Sequence, residues 1–135
     1  MIKIVLIEDD EPSQYFYGMV LQRAGYAVLP ARFGKAGVRM VRDELPGLVV
    51  VDLGLPEMDG LEVIRSLKTD PATRDIPVVV VTVHVFDRDR EAAFEAGCDE
   101  FLEKPLPPSE LLAAVERTLA RCAPLAEAAA SPVGS

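Results

Sequence analysis

The stretches "GLVVVD" (Gly47–Asp52) and "IPVVVVT" (Ile76–Thr82) are apolar and mostly β-branched until each ends on a polar side chain. A strand with one wet face alternates apolar and polar residues, so an unbroken apolar run reads as a strand covered on both faces. Strands of that kind belong to a parallel sheet packed between two layers of helices. Shorter runs at Ile2–Ile7, Val28–Leu29 and Phe101–Leu102 add three more strands. Segments with helical spacing lie between and after them, at residues 12–24, 34–43, 60–68, 87–96 and 109–121. In the first, Pro12 suits an opening turn and Gly25 a stop. Phe16, Met19, Val20 and Ala24 are its expected buried stripe, with Tyr15 and Tyr17 flanking it. In the last, Leu112, Val115 and Leu119 repeat at helical spacing, and Glu110, Glu116 and Arg117 fall outside the stripe. Five strands alternating with five helices predict a doubly wound α/β domain.

The 135 residues suffice for one domain with a real core. With 14 basic against 22 acidic residues the formal charge is −8, which argues against a nucleic-acid surface. No apolar run approaches the roughly 20 residues of a membrane span, and the N-terminus lacks signal-peptide regions. Cys98 and Cys122 have no metal-ligand spacing and read as reduced thiols, consistent with a cytoplasmic protein. Residues 1–122 are expected to form the domain. Residues 123–135, rich in Ala, Pro and Ser, are expected to be a disordered tail.

In an open parallel sheet, ligands bind beyond the carboxyl ends of the strands. Here those ends carry Glu8 and Asp9, Asp52, Thr82, and Lys104 followed by Pro105. Three carboxylates on one rim raise one another's pKa unless a cation neutralises them. Mg²⁺ is the small hard cation that uses carboxylate oxygens and is completed by phosphate. Thr82 and Lys104 suit phosphoryl oxygens, one by hydrogen bond and one by charge. Asp52, on the central strand, is the natural nucleophile, because a carboxylate can form an acyl phosphate. Asp10 and Glu11, next to the acidic pair, suit the N-terminus of the first helix.

The segments "LIEDDEP", "VVVDLGLPEMDGLEVIRSLK", "IPVVVVTVH" and "AGCDEFLEKPL", taken in order, resemble the receiver domain of two-component response regulators over residues 2–121. The resemblance implies a flavodoxin-like five-stranded parallel sheet in order 2-1-3-4-5. It implies that Asp52 accepts a phosphoryl group from a phosphohistidine, presented by a histidine kinase or a histidine phosphotransfer protein. Glu8, Asp9, Asp52 and the backbone carbonyl of Gly54 would hold Mg²⁺. Thr82 and Lys104 would bind the phosphoryl oxygens, and the Lys104–Pro105 bond would be cis. Thr82 would then move toward the phosphate and vacate space into which the switch aromatic, Phe101, turns. The surface of the fourth helix, fifth strand and fifth helix would respond and bind a downstream protein target.

Three positions are read against the family pattern. Val83, after the switch hydroxyl, is bulkier than the usual residue. Gly54 and His84, each two residues beyond a site residue, flank the route of attacking water and leave the dephosphorylation rate open. The expected protein is not an enzyme beyond self-phosphorylation and slow autodephosphorylation, and is a monomer or weak dimer. Alternatives are a receiver excised from a larger regulator, a degenerate receiver, or a metal-dependent phosphatase of related fold. Against the phosphatase, Gly54 stands where haloacid-dehalogenase-like enzymes carry a second acid.

Overall fold

The computed structural model describes residues 1–130, with side chains described as far as Cys122. In chain order its elements are β1 (Lys3–Ile7), α1 (Glu11–Arg23), β2 (Ala27–Ala31), α2 (Gly34–Glu44) and β3 (Leu48–Val51). They continue as α3 (Gly60–Thr69), β4 (Val78–Thr82), α4 (Asp87–Ala96), β5 (Glu100–Glu103) and α5 (Pro108–Ala130). All pairings are parallel, and the sheet order is β2-β1-β3-β4-β5.

The valine runs are central and covered on both faces. Because side chains alternate along a strand, Val49, Val51, Val78 and Val80 face one layer and join Val38 and Val41 of α2, Val63, Ile64 and Leu67 of α3, and Ala93 of α4. Leu48, Val50, Val79 and Val81 face the other and join Val20 and Leu21 of α1 and Leu111 and Val115 of α5. The edge strand β2 carries Pro30, which cannot donate to a further strand. Among the described residues no helix is long and apolar enough to cross a membrane.

Helix starts follow local chemistry. The Asp10 carboxylate accepts the Ser13 N–H at 3.0 Å and caps α1, with Pro12 inside the first turn. Asp59 caps α3 in the same way through the Glu62 N–H. Cys98 is buried and Cys122 half-buried, and both are free thiols.

Three expectations are corrected. The buried stripe of α1 is Tyr17, Val20 and Leu21 with Gly18, whereas Phe16 is 39% exposed, Met19 half-buried and Ala24 exposed. The two stripes are neighbours on the helix, and docking on the sheet selects the one that turns the long Tyr17 ring inward. In α5 the fully buried positions are Leu111, Ala114, Val115 and Thr118, with Leu112 and Leu119 at the margin. Thr118 is accommodated because its hydroxyl donates to the Ala114 carbonyl at 2.7 Å. Finally, α5 has helical backbone to Ala130, beyond the expected helix end at residue 121; residues 131–135 lie outside the described residues.

Close approach rather than turn geometry explains Gly37. A Cβ there would lie 2.5 Å from Ile7 Cδ1 and 2.7 Å from Ile7 Cγ1, so α2 rests almost directly on β1. We expect Gly37→Ala to destabilise the protein by about 1–3 kcal/mol through overpacking. Adding Ile7→Val should recover part of that loss in urea unfolding, because it removes the terminal methyl in the way.

Candidate functional site

The carboxyl ends of four strands meet on one rim. Glu8 and Asp9 follow β1, Asp52 follows β3, Thr82 ends β4 and Lys104 follows β5. Glu8 and Asp52 are only 3% and 8% exposed, unusual for carboxylates, Thr82 is fully buried, and Asp9 is half-buried. One carboxylate oxygen from each of Glu8, Asp9 and Asp52 lies within 4.8 Å of the others.

Every oxygen of Asp52 is held. Its Oδ1 accepts the Thr82 hydroxyl at 2.8 Å and the Gly54 N–H at 2.9 Å. Its Oδ2 accepts Lys104 Nζ at 2.9 Å, and the same ammonium donates to Glu8 Oε1. The Thr82 oxygen in turn accepts the His84 N–H at 3.1 Å, which leaves its proton directed at Asp52.

These contacts set the charges. Burial pushes the Asp52 carboxyl up, but the Gly54 N–H, Lys104 and Thr82 outweigh it, so its pKa falls below the ordinary aspartate range. Burial dominates at Glu8, against the Lys104 hydrogen bond and aided by the Asp52 charge, and its pKa is pushed up to about 7. Burial works against the Lys104 ammonium, yet its hydrogen bonds to Glu8 and Asp52 prevail and raise its pKa. Asp52 is thus the carboxylate the site keeps ionised.

The remaining expected residues surround this centre. Gly54 is exposed, and a Cβ on it would fall 2.5 Å from His84 Nε2, so the imidazole lies over the bare glycine. Val83 is 61% exposed at the mouth of the site. The Lys104–Pro105 bond is cis. Phe101 is only 9% exposed while Thr82 already bonds Asp52.

Two contributors have no signature in the sequence. Gln14 Nε2 donates to the strand-end carbonyls of Glu8 at 2.9 Å and Ala31 at 3.3 Å, tying α1 to the loop that carries the acids. The Tyr17 ring centroid lies 6.0 Å from Lys104 Nζ and walls the ammonium on one side. Only their placement facing β1 and Lys104 reveals them, since polar and aromatic residues are common on any helix.

The donor set fits a hard divalent cation. Carboxylate oxygens gather around a single ammonium, and oxygen-only clusters of this kind suit magnesium.

A family model for the response regulator receiver domain matches residues 4–116. The chain is 33% identical over 124 residues to the phosphate regulon transcriptional regulatory protein PhoB of Klebsiella pneumoniae, covering 92% of this chain and 54% of that protein. It is 32% identical over 103 residues to the polar-differentiation response regulator DivK of Brucella ovis, covering 76% and 84% respectively. The chain therefore spans about half the length of the PhoB relative. Among solved structures, the receiver domain of a sensor histidine kinase from Pseudomonas aeruginosa superposes with a TM-score of 0.83 at 27% identity, over 88% of this chain and 98% of that one. That domain was solved with a magnesium ion coordinated in its active-site cleft.

If the acidic cluster binds magnesium, adding the ion should stabilise the fold, since a ligand of the native state alone shifts unfolding by mass action. At tenfold excess over its dissociation constant the gain should be about 1.4 kcal/mol in urea unfolding. Asp9→Ala should abolish the gain while leaving the far-ultraviolet spectrum unchanged.

Proposed function

The chain belongs to the response regulator receiver family, and we propose that within it Asp52 is the phospho-acceptor of a switch fed by a phosphohistidine. The observation that carries this reading is a buried aspartate whose two carboxylate oxygens are held by a hydroxyl, a backbone N–H and an ammonium. These are the donors a phosphoryl group would need beside it.

Glu8, Asp9, Asp52 and the Gly54 carbonyl would hold magnesium. When bound, the ion supplies positive charge to the phosphoryl oxygens. A carboxylate oxygen of Asp52 attacks the donor phosphorus in line. The O–P bond forms as the P–N bond breaks, and the released imidazole nitrogen takes up a proton from solvent. Lys104 passes from the Asp52 oxygen to a phosphoryl oxygen and so places its charge where negative charge spreads during transfer. The Thr82 hydroxyl makes the same passage. Its proton already points at Asp52 because His84 N–H occupies its acceptor side. Val83 and the His84 ring border the mouth of the site and would set how readily water reaches the acyl phosphate.

The donor would dock beside Lys104. Pro12, Phe16, Tyr17, Pro105, Leu106 and Pro107 line an apolar recess of about 520 Å³ there. Tyr15 is 74% exposed, whereas Tyr17 is buried, so partner contact on α1 falls to Tyr15 and Phe16. Output would pass to a protein target through the surface of α4, β5 and α5. A formal charge of −8 does not favour direct contact with nucleic acid.

Incubation with magnesium and acetyl phosphate should add one phosphoryl group, detected by intact mass, and Asp52→Asn should abolish it. Lys104→Met should slow labelling by on the order of 100-fold, as removal of one pre-placed donor does elsewhere. Undiminished labelling of Asp52→Asn would overturn the assignment.

A further inference from the structure

One cation touches two aromatic rings on the output side of the sheet. The guanidinium carbon of Arg90, on α4, lies 5.5 Å from the ring centroid of Phe101, on β5. It also lies 5.6 Å from the ring centroid of Phe94, one helical turn further along α4. The spacing of four residues puts Arg90 and Phe94 on the same helix face. The inner ring, Phe101, is buried, and the outer ring, Phe94, is 42% exposed, so the guanidinium bridges core and solvent. Glu91 and Glu95 line the same recess. Yet among the described residues Arg90 makes no ion pair, although its neighbours offer carboxylates. A planar guanidinium stacks on ring faces better than an ammonium does, and the contact strengthens as water is excluded.

We propose that Arg90 is a positioning residue for Phe101: stacked between Phe101 and Phe94, it holds the switch ring inward. The proposal rests on the reading of Phe101 as the switch aromatic.

Labelling the five phenylalanines with a fluorinated analogue allows the ring to be followed by ¹⁹F NMR, with the Phe101 signal assigned from Phe101→Leu. Arg90→Met keeps the stem packing and removes the charge; Arg90→Lys keeps the charge and removes the plane. Without metal or phosphate mimic, Arg90→Met should raise the outward-to-inward ratio of Phe101 roughly three- to fivefold, the scale of one cation–π contact. Arg90→Lys should fall between Arg90→Met and the parent. Adding magnesium and beryllofluoride should return the Arg90→Met ring to its inward position. A purely structural role would change unfolding without changing this ratio. A Phe101 signal in Arg90→Met that coincides with the parent in position and in broadening by a soluble paramagnet overturns the proposal. That result is read before any mimic is added. Absence of a beryllofluoride response in every variant would instead count against Asp52 as acceptor.

Discussion

Two buried carboxylates sharing one ammonium are the constraint around which the site is arranged. Glu8 and Asp52 approach the same Nζ of Lys104 from strands β1 and β3, and Lys104 itself follows β5. Leaving either acid unpaired at that depth would be strongly unfavourable, on the order of 3–5 kcal/mol where one partner of a buried pair is removed. The site divides the burden unequally. Asp52 collects two further donors, the Gly54 N–H and the Thr82 hydroxyl, and its pKa is lowered, whereas that of Glu8 is raised. The opposite shifts of these two acids are set by hydrogen-bond supply and burial, not by residue type.

That arrangement survives only if the strand ends cannot drift. The sheet is stiff because its middle strands are valine-packed on both faces, with alternate residues in separate cores. Helices lie unusually close where glycine permits it. Gly37 sets α2 on Ile7 just before the acidic pair. A Cβ on Gly60 would collide with the Asp52 carbonyl, so α3 begins directly against the backbone of Asp52. Gln14 closes the β1 and β2 ends from the opposite layer. Packing on both faces thus converges on a few carbonyls, and precision at Asp52 is a consequence of core density.

The path from the site to the surface is short. Thr82 touches Asp52 and is followed by the loop that leads into α4; β4 pairs with β5, placing Val80 beside Phe101. A hydroxyl, a ring and a guanidinium therefore lie in sequence from Asp52 to the exposed helix α4.

Much of this was legible in the chain. The unbroken valine runs declare strands covered on both faces, because an exposed face would require alternation. Polar residues that end those runs, together with Lys104, mark the rim by position alone. Tertiary structure decided the rest. Tyr17 and Phe16 are adjacent apolar residues with nearly equal claims to the helix interior. Only docking against the sheet turned Tyr17 toward Lys104 and left Phe16 on the recess. Glu8 and Asp52 are both acids at strand ends, and nothing in their order foretells which keeps its charge. That depends on donors from Gly54, Thr82 and Lys104, up to 52 positions away. Gln14 and Arg90 are likewise ordinary helix residues in sequence. Local pattern determines which faces are buried; which side chains meet there is a matter of distance between segments remote along the chain, and the sequence carries no local signal for it.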